Sequence, residues 1–216
     1  MSRALPILFN TEMVRAILDG RKTCTRRVIK LPENMDGVPV GKSGDSSNPL
    51  GFMYPGGIKR PPYQPGDILY VRETWCALPV NEAGHMRGHS IYYYYRADGD
   101  LRPEGWRGKW RPSIYMPKEA ARIWLKVTDV RVERLQDITP KGAESEGVGN
   151  LFYDDIGYGE KNYGTEVDTE YGIAKEQFAW LWESTIKKSD LDRYGWDANP
   201  WVWVIEFERC EKPEGV

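Results

Sequence analysis

Residues 17 to 30 read ILDGRKTCTRRVIK, placing Arg21, Lys22, Arg26, Arg27 and Lys30 around Thr23, Cys24 and Thr25 in a chain whose formal net charge is only -2. Such a concentration of cation admits three chemistries. It can complement the negative end of a helix, hold an anion, or supply the lysine and hydroxyl of a catalytic site. A threonine hydroxyl is a weak nucleophile until a base takes its proton. A lysine becomes that base only when burial or neighbouring cations draw its pKa toward neutrality. Lys22 has three arginine neighbours of this kind. Strand alternation puts Thr23 and Thr25 on one face, so the register decides which hydroxyl shares a cleft with Lys22. On a regular strand Cys24 points the other way and reads as a small buried hydrophobe.

The elements that must position these residues follow from periodicity. ALPILF (4–9) reads as a first strand. Asn10 or Thr11 can cap a helix running to Asp19, with Met13, Ala16 and Ile17 on one face, and Gly20 suits its left-handed end. TCTRRVIK then begins a strand, so Lys22 sits at a helix-to-strand junction. DILYVRETW (67–75), SIYYYYRA (90–97) and ARIWLKVTDVRVERL (121–135) read as three further strands. DITPKGAESEGV (137–148) reads as a short helix capped by Asp137 or Thr139 and closed at Gly147. AKEQFAWLWESTIKK (174–188) places Phe178, Leu181, Trp182 and Ile186 at helical spacing, and PWVWVIEFERC (200–210) is an apolar strand. Many strands with few helices, and no regular alternation of the two, indicate an α+β protein built on a small β-barrel or curled sheet.

With 216 residues, 40% hydrophobic and 29% charged, the chain reads as a single domain, 1–216, with loop insertions at about 32–66 and 148–172. The near-neutral charge excludes a strongly basic nucleic-acid coat while leaving room for a local basic groove. Cys24, Cys76 and Cys210 are odd in number and far apart, which suggests neither a disulfide framework nor a metal site and fits a reducing cytoplasm. No apolar run has the length of a signal core or a membrane span, so no membrane partner is expected.

Other clusters carry weaker signals. Arg72 and Glu73, at a strand end, go to opposite faces, and Glu73 can meet Lys22 or form a structural ion pair. PEGWRGKWRPSIY (103–115) interleaves Trp106 and Trp110 with Arg107, Lys109 and Arg111. Aromatic faces beside cations suit single-stranded nucleic acid, whereas the alternative is a hairpin whose tryptophans cover the fold. Ser113 is a second candidate hydroxyl. Tyr92 to Tyr95 must alternate, two toward the core and two toward a surface or cleft. His85 and His89 have a metal-like spacing, but Gly84 and Gly88 undermine the helix it would need, so no metal is expected.

GRKTCTRR, QPGDILYVRETW, DITPKGAESEGV and PWVWVIEFER, in this order, resemble the ASCH domain of the PUA-like β-barrel superfamily. With RPSIYMPKEAARI (111–123), the chain is most similar to the longer ASCH proteins of phages and prophages. The resemblance implies a PUA-like barrel with flanking short helices and a cleft for RNA or a modified, cytidine-type nucleoside. Small bacterial ASCH proteins are amidohydrolases of N4-acetylcytidine, acting without metal or organic cofactor through a lysine, a threonine and a glutamate. Those roles fall here on Lys22 as base, Thr25 as nucleophile and Glu146 as acid/base, with Glu144 two residues away as the alternative acid. Such a glutamate can hold the lysine, activate water or protonate a leaving amine. Arg21, Arg26 and Arg27 would tune the lysine or hold phosphate, and Arg72, Glu73, Trp110, Arg111 and Ser113 would line the binding surface. A non-catalytic RNA or nucleotide-binding module and a metal-independent ribonuclease are the rival functions, and a monomer is the expected state.

Overall fold

The computed structural model describes residues 4–32, 35–80, 90–104, 108–148 and 169–214. Their class is α+β: ten strands, four α-helices and several single 3-10 turns. The strands lie in open sheets of five, three and two strands. The chain divides into two compact units, each assembled from separated segments.

The first unit comprises 1–19, 66–126 and 208–216. Strand β1 (Ala4–Leu8) pairs in parallel with β6 (Ile68–Arg72), which pairs antiparallel with the start of β9 (Trp124–Arg134). After β1 the chain forms α1 (Thr11–Leu18), whose cap Asn10 accepts the Met13 N–H at 2.8 Å. Its apolar face, Met13, Val14, Ala16 and Ile17, is buried. The run 67–75 breaks into two strands, because Glu73 and Thr74 leave the ladder before β7 (Trp75–Val80). Strand β7 pairs antiparallel with β8 (Ser90–Tyr95), and Trp75 packs with Met116 and Ala120 in a small core.

The second unit comprises 20–65 and 127–207. Strand β2 (Cys24–Val28) pairs antiparallel with β10 (Trp201–Cys210), setting Cys24 opposite Glu206, Thr25 opposite Ile205 and Arg26 opposite Val204. The Gly- and Pro-rich stretch 32–66, read from composition as a loop, carries an antiparallel sheet of β3 (Val38–Val40), β4 (Gly51–Tyr54) and β5 (Gly57–Lys59). Phe52 anchors that sheet, fully buried with its ring 5.5 Å from Trp201. A single buried aromatic in a turn-rich segment is too sparse to register as alternation.

Two helices close over β2 and β10. Helix α2 (Pro140–Ser145) is capped by Thr139, whose hydroxyl accepts the Gly142 N–H at 3.0 Å, and α3 spans Thr169–Thr185. Phe178 and Trp182 of α3 and Ala143 of α2 meet Cys24, Val202 and Val204 in the core of this unit. The apolar stripe expected of α3 is therefore core. Helix α4 (Leu191–Tyr194) follows a 3-10 turn. Gly20 and Gly147, with φ of 77° and 88°, provide the left-handed residues that follow α1 and α2. Most of the insertion 148–172 lies outside the described residues, as do His85, His89, Trp106 and Arg107.

Because α2 is short, its cap carries much of its definition. Thr139→Ala is expected to cost about 1 kcal/mol. Urea denaturation monitored by circular dichroism measures it, and an unchanged midpoint would mean that packing alone holds the helix.

Candidate functional site

Lys22 lies just before β2 in an extended conformation and forms an isolated antiparallel bridge with Glu146, the residue that caps the C-terminus of α2. The bridge is reinforced by the Thr23 N–H donating to the Ser145 carbonyl at 2.9 Å. The backbone pairing brings the side chains together. Lys22 Nζ donates to Glu146 Oε2 at 2.6 Å and to the Glu146 carbonyl at 2.9 Å. Both residues are buried, at 3% and 4% exposure. Glu144, the alternative acid, is exposed.

The second carboxylate oxygen is also engaged. Arg26 Nη1 donates to Glu146 Oε1 at 3.2 Å, and Cys24 Sγ approaches the same oxygen at 3.7 Å. Lys22, Cys24 and Arg26 thus share the face of β2 that looks at α2, as alternation requires. Cys24 faces opposite to Thr25, as strand alternation led one to expect, and the lysine lies on the cysteine's side rather than the threonine's. Burial pushes the Cys24 thiol up to about 12, and the Glu146 charge adds to the shift, against Arg26, Lys22 and Arg131. Gly142 makes room for the arrangement: a Cβ there would stand 3.2 Å from Arg26 Nη2.

Arg26 extends the site into a ladder of charges. Its Nη2 donates to Glu133 Oε2 at 3.1 Å, and its guanidinium stands 5.7 Å over the Phe178 ring. Arg131 donates to both Glu133 and Glu206. Cations Lys22, Arg26 and Arg131 therefore alternate with carboxylates Glu146, Glu133 and Glu206, from a dry end to a solvent-facing end where Arg131 is 38% exposed. Arg26 Nε, buried, takes no partner among the described residues.

The remaining candidates divide by position. Thr25 is buried at 4% and, by alternation, lies on the face of β2 opposite Cys24. Among the described residues its hydroxyl makes no hydrogen bond with Lys22 or Glu146. Arg27 shares that opposite face, where burial lowers its guanidinium pKa against the charges of Tyr63 and Glu146. Arg21 Nη1 donates to the Gly147 carbonyl at 2.9 Å, tying the end of α2 to the start of β2.

In the first unit, Arg72 Nε donates to the Met116 carbonyl at 2.8 Å, and its Nη2 to that of Ile114. Trp110 lies under Arg102 at 4.6 Å and Arg96 at 5.5 Å, while Arg111 stands 5.2 Å over Trp75. Protein cations thus already cover the Trp110 ring that a stacked base would need. Ser113 opens a 3-10 turn and its carbonyl accepts the Met116 N–H at 3.0 Å.

Glu73, at 1% exposure, is gripped by Arg122 through Nε at 2.9 Å and Nη2 at 3.1 Å. Burial raises its carboxyl above the ordinary range, and the Arg122 hydrogen bonds and charge oppose that rise.

No family model, curated protein or solved structure matches this chain. The site is accordingly argued from its own geometry. Among the described residues no group of three His, Cys, Asp or Glu is placed to hold a metal, and no helix is long and apolar enough to cross a membrane. Sequence reasoning missed Arg26 as a direct partner of Glu146, and it missed Glu133, Arg131 and Arg122 altogether. Glu133 and Arg131 are marked by ordinary strand alternation in β9, and Arg122, which precedes that strand, is marked by no motif.

Two outcomes follow. Glu146→Ala leaves Lys22 and Arg26 buried without their shared counter-charge and is expected to destabilise the fold by about 3–5 kcal/mol. Chemical denaturation checks this, and a loss below about 1 kcal/mol would mean that water reaches the pair. For the thiols, alkylation of native protein at pH 8 with mass-spectrometric mapping is expected to label Cys210, which is half-buried, well before Cys24.

Proposed function

We propose that the chain binds a cytidine-type nucleoside, free or in RNA, and hydrolyses the amide of an N4-acyl group on it. The observation that supports this reading is the meeting of Lys22 and Glu146, 124 residues apart, as a buried lysine-carboxylate pair at 2.6 Å. These are the two positions on which the resemblance to ASCH amidohydrolases places the base and the acid/base. The finer fold reading, a PUA-like barrel with flanking helices, belongs to the same proposal, as do a nucleoside or RNA ligand and a chain working alone in a reducing cytoplasm. The reaction calls for no metal or organic cofactor.

In this reading a nucleophilic oxygen adds to the acyl carbon, and the C–N bond breaks. The proton taken from the nucleophile returns to the departing N4 nitrogen, leaving cytidine and a carboxylate. The pair suits both transfers: one member accepts the proton and the other delivers it. Two oxygens compete for the attack. The resemblance assigns it to the Thr25 hydroxyl, with water completing turnover by hydrolysing the acyl-threonine. The opposite facing of Thr25 on β2 favours a water activated directly by the pair.

Incubation with N4-acetylcytidine, followed by chromatography for cytidine, tests the reading. Release is expected from the native chain and a fall of at least about a hundredfold from Lys22→Met, the range for losing one proton-transfer group. Thr25→Val discriminates the nucleophiles: loss of turnover assigns the attack to threonine, and retention assigns it to water. No release by the native chain would overturn the hydrolase. Labelled RNA cleaved in the presence of EDTA would replace it with the ribonuclease reading.

A further inference from the structure

The first unit contains a cleft of about 330 Å³ lined by Tyr92, Tyr93, Tyr94, Tyr95, Asp98, Leu101 and Arg122. We propose that this cleft binds a nucleobase carrying an exocyclic amino group. The proposal is independent of the Lys22 reading, whose proposed catalytic residues Lys22, Thr25 and Glu146 lie in the second unit.

The wall is built to be rigid. Tyr93 and Tyr95 pack against the small core of Trp75, Met116 and Ala120, and the Tyr95 hydroxyl donates to the Ala120 carbonyl at 2.6 Å. The Arg122 guanidinium lies 4.0 Å over the Tyr95 ring. Its Nε and Nη2 are held by Glu73, and its Nη1 donates to Asp98 Oδ2 at 2.7 Å. From α1, Arg15 Nε donates to the Ala97 carbonyl at 2.9 Å and steadies the turn that carries Asp98. A site whose side chains are already immobilised loses little entropy when a ligand arrives.

What the wall offers is specific in kind. Tyr92, 55% exposed, and Tyr94 form a tilted pair with centroids 4.8 Å apart, presenting aromatic surface at the cleft. The hydroxyls of Tyr92, Tyr93 and Tyr94 take no hydrogen-bond partner among the described residues, and neither does Asp98 Oδ1. Aromatic faces accept a flat ring by stacking. A carboxylate oxygen accepts hydrogen bonds and cannot donate them, so it selects a ring that bears N–H groups. Among the lining residues Arg122 is the one cation, and Glu73 and Asp98 already hold it. Cytosine and adenine fit these terms with an exocyclic amine, whereas uracil offers its N3–H only between two carbonyl oxygens that the carboxylate repels.

Isothermal titration of the full chain with cytidine, adenosine and uridine tests the proposal. Cytidine and adenosine are expected to bind at least about tenfold tighter than uridine, because uridine lacks the exocyclic amine and can reach the carboxylate only through an N–H flanked by two repelling carbonyls. Tyr92→Ala, at an exposed position, is expected to weaken binding about 5- to 150-fold, the range for losing one stacked base. Asp98→Asn, which can turn an amide N–H toward the ligand, is expected to erase or invert the preference over uridine. A cytidine oligonucleotide titrated in parallel at two salt concentrations identifies the source: tighter, salt-weakened binding marks single-stranded nucleic acid, and binding by the nucleoside alone marks a free metabolite. Absence of cytidine and adenosine binding at millimolar concentration overturns the proposal, as does binding unchanged by both substitutions. Cytidine binding abolished by Lys22→Met but untouched by Asp98→Asn overturns it too, while leaving the hydrolase reading intact.

Discussion

One carboxylate organises the second unit. Glu146 holds the Lys22 ammonium with one oxygen and the Arg26 guanidinium with the other, all three buried. Charges out of water are tolerated only when each finds a counter-charge and its remaining hydrogen bonds. That requirement ties the C-terminus of α2 to β2 and orders the layers around them. Thr139 starts the helix and Gly142 admits the Arg26 side chain. Gly147 turns the chain away, and Phe178 and Trp182 shield the cluster from solvent.

The first unit solves the same problem differently. Its buried carboxylate, Glu73, faces a single planar partner, and Arg122 satisfies both oxygens at once. A guanidinium matches a carboxylate in this two-point geometry, whereas an ammonium presents a point charge that can also reach a carbonyl, as Lys22 does. The two sites therefore differ in how each cation is held. In the Glu73 site the guanidinium is locked between the Glu73 and Asp98 carboxylates. In the Glu146 site the lysine is held by one carboxylate oxygen and one backbone carbonyl oxygen.

The ladder from Lys22 to Arg131 grades from dry to wet. Ion pairs at its exposed end contribute little to stability, since water and salt compete for them. The buried end carries the energetic weight. Alternating charge along the ladder means that altering one buried member changes the environment of its neighbours, so effects of substitutions there will not add.

Local features were legible in the sequence because they are encoded within a turn or two. Short lists of caps that include Asn10 and Thr139, Gly20 and Gly147 at helix ends, the core stripe of Phe178 and Trp182, and the strands around 68–72 and 201–210 all follow from spacing that a reader can measure along the chain. Partnership between distant charges was not. Nothing local distinguishes Glu146 from Glu144 as the partner of Lys22, or joins Arg26 to that same carboxylate. The register of β2 against β10 and the bridge from Lys22 to Glu146 made those choices. A shift of one residue in a strand reverses every side chain between its two faces. Composition and periodicity therefore determined which elements form, and only the tertiary pairing decided which charged groups they bring together out of water.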